Sequence, residues 1–338
     1  MDFGLTAVNV LLLVVMAIPG YILIKAKVVK QDAIKYFAKV LLYVNQPFLT
    51  LNSFLSTAYT PSILKNLGIA VALSFGVQLF LIAALVLFYF KSYNRLAPKK
   101  VSGFLQTNVE DFAFSNSEEK VMKGKGMRVL TTCSVFGNVG FLGIPVVKAL
   151  LPSYPEAITY TAVFIVAMNL LCWTVGAYII TGDRKYVSIK RAILNPPTLT
   201  LVVALPLFFT GVKLPDAAMK GIGLLADMTT PMCMLILGMR FGAAPFKELF
   251  TNGYVYISAL TKIVVLPLVM FTVCYFLPID RTLKITLFIL SAMPCASVNL
   301  NLSEIFNGNK KVAANTILLS TLFCVVTIPV LMLMTKFL

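Results

Sequence analysis

The sequence predicts an all-α polytopic membrane protein of ten transmembrane helices, arranged as two inverted five-helix repeats with crossed, broken helices. Three observations carry this. The 338-residue chain is 59% hydrophobic, and its apolar residues come in repeated runs near twenty residues long. Its basic residues alternate from loop to loop. Matched helix breakers also stand at corresponding places in the two halves.

A run of about twenty apolar residues carries a helix across a bilayer core. On that basis spans are expected at roughly 4–25, 33–57, 62–91, 127–151, 156–181, 193–211, 217–242, 254–278, 282–306 and 311–337. The opening segment MDFGLTAVNVLLLVVMAIPGYILIK is read as the first span. A signal peptide would carry its positive charge before the apolar run, whereas here the charge follows it.

The charge pattern orients the spans. Of the 29 Lys and Arg, 21 fall on one set of alternating loops, seven on the other, and Lys262 lies inside a span. The positive-inside rule then places loops 92–126 and 182–191 in the cytoplasm and both termini outside, in the plasma membrane. In a soluble protein a formal charge of +16 would point to nucleic acid. Here it is a topology signal, and no nucleic-acid partner is expected. Loop 92–126 is polar and of mixed charge, the composition of a cytoplasmic connection with room for a docking role.

Several functions are disfavoured by what the chain lacks. It has no histidine, which excludes imidazole metal sites and Ser-His or Cys-His catalysis. Its six cysteines lie inside expected spans without a CxxC and read as packing residues. GxxxxGK[ST] is absent, which disfavours ATP coupling. No enzyme, cofactor or metal centre is expected.

Five is odd, so a second five-span half of similar fold lies upside down in the membrane. The halves are 1–181 and 193–338. A shift of 184 lays 33–57 on 217–241 and Pro47 on Pro231; for the fourth span the shift falls to about 157, placing 127–151 on 284–308. The long loop 92–126 accounts for the difference.

The breakers sit in GNVGFLGIP (137–145) and SAMPCASVNLNLSE (291–304). Pro145 has no N–H for the preceding turn, and Gly137, Gly140 and Gly143 add backbone freedom. Unsatisfied backbone survives at membrane depth only against protein or a water-filled cavity. Pro294, Asn299 and Asn301 stand where a lipid-facing helix would carry leucine. Paired interruptions of this kind point to a transporter's binding site, with Asn138, Asn299 and Asn301 as hydrogen-bonding groups. The broken ends can hold an anion without a dedicated arginine.

Other polar residues within spans extend the candidate set. Asp227, one turn before Pro231, is a candidate coupling carboxylate if desolvated; Glu304 is a second. Asn45, near Pro47, is a further binding candidate. Lys262 either snorkels to the interface or pairs with Asp227.

The motifs GNxGFLGIP, LNPPTL and MPCASVNLNLSE, the last with Glu304, resemble the auxin efflux carrier family. This wider membrane-transport family includes plant PIN-FORMED carriers and bacterial carriers of malate or malonate. The resemblance covers nearly the whole chain. It implies a ten-span inverted repeat like that of bile-acid and sodium/proton antiporter folds, with a scaffold domain (spans 1, 2, 6 and 7) and a transport domain (spans 3–5 and 8–10). It carries the substrate site onto Asn138, Pro145, Pro294 and Asn299. The short loop GDRKYVSIKRA departs from the long-looped plant carriers.

The expectation is an elevator-type secondary transporter of a small organic anion. Its partners are that anion and the lipid bilayer, with a homodimer left open. The coupling ion is open between Na+ and H+. The rival readings are a channel or sensor on the same fold, and a facilitative uniporter without coupling.

Overall fold

The computed structural model describes residues 3–94, 125–212, 214–244 and 253–338. Among these the chain is helical throughout, and its extended pairing is a single antiparallel bridge between Gly137 and Cys295. Most of loop 92–126 lies outside the described residues, as do Lys213 and Lys247.

Helix α1 (Phe3–Lys25) leads to α2 (Ala33–Val40), which runs through a π-helical turn (Leu41–Asn45) into α3 (Gln46–Ser56). The long α4 (Pro61–Asn94) follows. Helix α5 (125–135) stops at an extended break, after which a π turn (Val139–Gly143) opens α6 (Ile144–Leu150). Next come α7 (Pro155–Leu171), a π turn (Cys172–Gly176), α8 (Ala177–Thr181), α9 (Ile189–Ile193) and α10 (Pro196–Thr210). Helices α11 (Asp216–Asp227) and α12 (Thr229–Ala243) meet at Met228. Then α13 (Gly253–Leu260) passes through a π turn (Thr261–Val265) into α14 (Leu266–Phe276). The chain ends with α15 (Arg281–Ser291), a second extended break, α16 (Val298–Ile305) and α17 (Lys310–Met332).

Five described helices are long and apolar enough to cross a membrane: Pro61–Phe88, Pro155–Thr181, Asp216–Ala243, Gly253–Phe276 and Lys310–Phe337. A sixth is obtained if Arg184–Ile193 and Pro196–Thr210, bent by 44°, form one span. Leu11–Lys25 and Val139–Leu150 are apolar but shorter. The expected fourth and ninth spans are each cut by a break, so neither is a continuous membrane-length helix.

Helix ends follow their capping residues. Asn195 accepts from the Thr198 N–H at 3.1 Å, with Pro196 and Pro197 filling the first helical positions that lack an acceptor. Asp280 and Asn309 accept from Leu283 and Val312 in the same way. Gly182 and Gly211 end their helices at φ +72 and +61, in the left-handed region that favours glycine. Inside the apolar body, hydroxyls return to their own helix: Thr161, Thr286 and Thr316 each donate to the carbonyl four residues earlier.

One contact brings two backbones together. A Cβ on Gly238 would collide with the Ala17 carbonyl, and one on Gly20 with the Leu235 carbonyl. Gly20, Gly238 and Gly242 thus let α1 and α12 touch main chain to main chain, the small-residue packing available to helices in lipid. Polar clamps hold other pairs. Ser53 and Thr159 share a hydrogen bond of 2.7 Å between α3 and α7, and Asn66 donates to the Tyr160 hydroxyl at 3.1 Å between α4 and α7. The Phe54 ring meets Phe208 edge-on at 5.6 Å, joining α3 to α10.

Candidate functional site

The two breaks cross each other. Asn138 N–H donates to the Pro294 carbonyl at 2.6 Å, and Ala296 N–H donates to the Phe136 carbonyl at 2.9 Å. This reciprocal pair has local two-fold character and satisfies backbone groups that helix interruption would orphan. Proline at 294 suits the crossing because it gives a carbonyl and has no N–H to satisfy. Pro145 lies buried directly after the π turn, from which the helix continues into α6, and the wider turn accommodates its ring and missing N–H.

The crossing uses its asparagines differently. Asn138 caps the outgoing segment, its Oδ1 accepting from Phe141 N–H at 3.3 Å. Asn299 binds the crossing itself: its amide donates to the Phe136 carbonyl at 3.2 Å and the Ala296 carbonyl at 3.1 Å. Asn299 Oδ1 is buried without a partner among the described residues. Asn301 and Glu304 lie on the exposed face of α16. Gly140 makes room for a neighbour, since a Cβ there would sit 2.7 Å from the Gln46 Nε2.

Asn45 ties the α2–α3 junction to the α11–α12 junction. Its amide donates to the Leu225 carbonyl at 3.2 Å, while Thr229 donates to the Asn45 carbonyl at 3.3 Å. Thr229 is the residue that the 184-position shift lays on Asn45, so the contact joins two positions that the shift pairs.

Three charged residues depart from expectation. Asp227 is not enclosed by protein: its side chain is 73% exposed and forms an ion pair of 2.9 Å with Lys148 of α6. It stands where α11 gives way to α12, so the interruption opens it to its surroundings. Lys262 neither snorkels nor meets Asp227. It is fully buried, and its Nζ donates to the Ser291 carbonyl at 2.7 Å.

The third departure is Arg240. Counted by sequence among cytoplasmic loop charges, it projects from the last turn of α12 back to the crossing. Its guanidinium donates to Ser297 Oγ, just before α16, and lies 5.5 Å from the centroid of the Phe141 ring. No carboxylate pairs with it among the described residues. The sequence reading placed no arginine beside the crossing; the structure places Arg240 there. The signal was available in GMRFG, where glycines of a tightly packed helix flank the charge.

Arg240, Asn138, Phe141, Leu142, Cys233 and Thr321 are among the residues lining a narrow pocket between the crossing, α12 and α17. Its cavity volume is about 20 Å³, room for about one water molecule. Among the described residues no three His, Cys, Asp or Glu side chains gather as metal ligands.

Two comparisons bear on identity. Residues 123–332, well over half the chain and including both breaks, match the model of the membrane transport protein family. An uncharacterized transporter of Methanocaldococcus jannaschii is 26% identical over 330 residues, covering 94% of this chain and 95% of that protein. By the extent of the family match, the chain belongs to the membrane transport protein family, the auxin efflux carrier family that its broken-helix motifs resemble.

Proposed function

We propose that the protein is a secondary transporter of a small organic anion, with its substrate site at the crossing and Arg240 as the anion's main partner. The observation that carries this reading is a partly buried guanidinium with a hydroxyl and an aromatic face beside it and no carboxylate among the described residues. Removing a cation from water is costly unless a counter-charge joins it. A substrate carboxylate supplies that charge and matches the planar guanidinium fork with two parallel hydrogen bonds. Asn138 borders the same pocket and offers its amide to the second oxygen or to a neighbouring polar group.

Alternating access follows from where the pocket lies. One wall is the crossing, which the family resemblance places in the transport domain; the other is α12, in the scaffold. Rigid movement of spans 3–5 and 8–10 against spans 1, 2, 6 and 7 opens the pocket to one side and then the other. The ten-span inverted repeat, the plasma membrane and external termini complete the reading. They rest on the loop charges and span pattern.

The test is a thermal-shift screen of purified protein against dicarboxylates, indole acids and bile acids, repeated with Arg240→Gln. The expected result is stabilisation by one carboxylate class, lost in the variant while its ligand-free melting stays near the wild type. Stabilisation by neutral solutes alone, or equal stabilisation of the variant, contradicts the reading. Gradient-independent transport by the wild type would make the protein a uniporter.

A further inference from the structure

We infer that the segment between α8 and α10 binds the headgroups of anionic phospholipids. The helix that runs through its π turn from Pro155 to Thr181 has 27 residues, about 40 Å at 1.5 Å per residue. That matches a bilayer of roughly 40–45 Å with its headgroup layers, so the chain leaves the headgroups near Gly182. It then returns alongside its own helix. Ser188 N–H donates to the Trp173 carbonyl at 3.2 Å, and the Arg191 guanidinium lies 5.9 Å from the centroid of the Trp173 ring. Trp173 precedes Thr181 by two turns, about 12 Å back along the helix. Arg191 thus sits at the depth of the chain's single tryptophan, the interfacial level that tryptophan favours.

The returning segment is amphipathic and held in place. Ile189 and Ile193 share one face of α9 and are 61% and 43% exposed, while Ala192 is buried against the protein. At about 100° per residue, Arg191 leaves the helix on the side opposite the two isoleucines. Ser188 caps α9 by accepting from Arg191 N–H at 3.2 Å, and the Tyr186 ring meets Phe306 edge-on at 5.5 Å. Lys185 is taken by Asp183 at 3.0 Å. Arg184, Lys190 and Arg191 are exposed, with no carboxylate paired to them among the described residues.

This placement selects the occupant. A basic residue that only orients the chain serves as well at the tip of a loop, whereas these are carried back to the interface beside exposed isoleucines. Phosphate oxygens match the guanidinium forks of Arg184 and Arg191, and the acyl chains below them cover Ile189 and Ile193. Free phosphate would answer the charges and leave the apolar face bare. Basic residues on an interfacial amphipathic helix attract anionic lipid by this combination. The family resemblance puts α8 in the transport domain and α10 in the scaffold, so a lipid held here tethers a connection between the two. No substrate assignment enters the inference, and it and the carboxylate reading fail separately.

The experiment melts the purified full chain in detergent while titrating phosphatidylglycerol, phosphatidylcholine of the same acyl chains, or inorganic phosphate. Phosphatidylglycerol should raise the melting temperature of the wild type by several degrees and saturate; the other two should not. The triple variant Arg184→Gln, Lys190→Gln, Arg191→Gln should lose most of that rise. A control triple, Lys25→Gln, Lys27→Gln, Lys30→Gln, removes three exposed charges that the loop count puts on the same side, and it should keep the rise. If the first triple cannot be purified, Arg191→Gln alone should need several-fold more phosphatidylglycerol for half the effect, and Arg191→Lys less than Arg191→Gln. Equal stabilisation by phosphatidylcholine or by phosphate overturns the inference. So does an equal loss in the control triple, or an Arg191→Gln variant with unchanged half-saturation.

Discussion

Arg240 and Asn299 both touch the crossing, yet their substitutions should fail in different ways. Arg240→Gln removes a charge-assisted interaction worth about 1.5–3 kcal/mol, which corresponds to a loss of affinity of about ten- to a hundred-fold. Its fold should survive, because the guanidinium's described partners are one hydroxyl and one ring face. Asn299→Ala instead removes the amide that ties α16 to the Phe136 carbonyl. It should lower the melting temperature, with a stability cost of about 1–3 kcal/mol. Asn138→Ala should weaken binding, since its side chain borders the pocket. Isothermal titration with the carboxylate selected by the screen, beside thermal melts, separates the outcomes. Equal affinity in wild type and Arg240→Gln would remove the arginine from the site.

Asp227 belongs to the same scale. An exposed ion pair contributes about 0–1 kcal/mol, and 73% exposure places Asp227–Lys148 in that class. Asp227→Asn should therefore shift melting by a few degrees at most, and gradient-driven uptake in proteoliposomes should continue. Loss of that uptake with exchange retained would return Asp227 to the mechanism as the coupling group. Sequence alone marked Asp227 as anomalous but could not give its depth: the interruption at Met228 sets the exposure, and nothing in LLADMTTP separates a buried carboxylate from one that looks outward. Arg240 was hidden for the opposite reason. A charge beside a basic loop counts as topology until packing shows the side chain turning inward.

Among the elements, α1 and α12 make the most direct test of packing. Gly238→Ala forces a Cβ into the Ala17 carbonyl and should separate the two helices, lowering stability and expression. Gly68→Ala on α4 is the control, because a Cβ added there meets no atom within 4 Å. At that position the better helix propensity of alanine, about 1 kcal/mol over glycine, should make the change neutral or stabilising. Thermal melts of the two variants check this, and equal tolerance at both positions would contradict the close contact. The breaks themselves were the most legible elements. Glycine, proline and asparagine are costly in a lipid-facing helix, so their clustering at 137–145 and 291–301 marked irregular backbone directly. Their mutual hydrogen bonds were not legible, because spacing along the chain says nothing of which carbonyl meets which N–H.

At the scale of the molecule, the sequence pattern reached the helical membrane class, because long apolar runs have few other solutions. Orientation rests on the 21 basic residues of one loop set. Tyr186→Cys and Ser115→Cys, each in a cysteine-free background, should resist an impermeant thiol reagent in intact cells and react after lysis. Labelling of both before lysis would invert the topology.

The central claim is that a carboxylate crosses the membrane while held by Arg240 at the broken-helix crossing. Counterflow in proteoliposomes tests it most directly. Vesicles are loaded with unlabelled carboxylate of the class found by thermal shift and diluted into a trace of the labelled compound. The wild type should accumulate label transiently above equilibrium, and Arg240→Gln, reconstituted to the same density, should not. Accumulation by Arg240→Gln equal to that of the wild type would contradict the account.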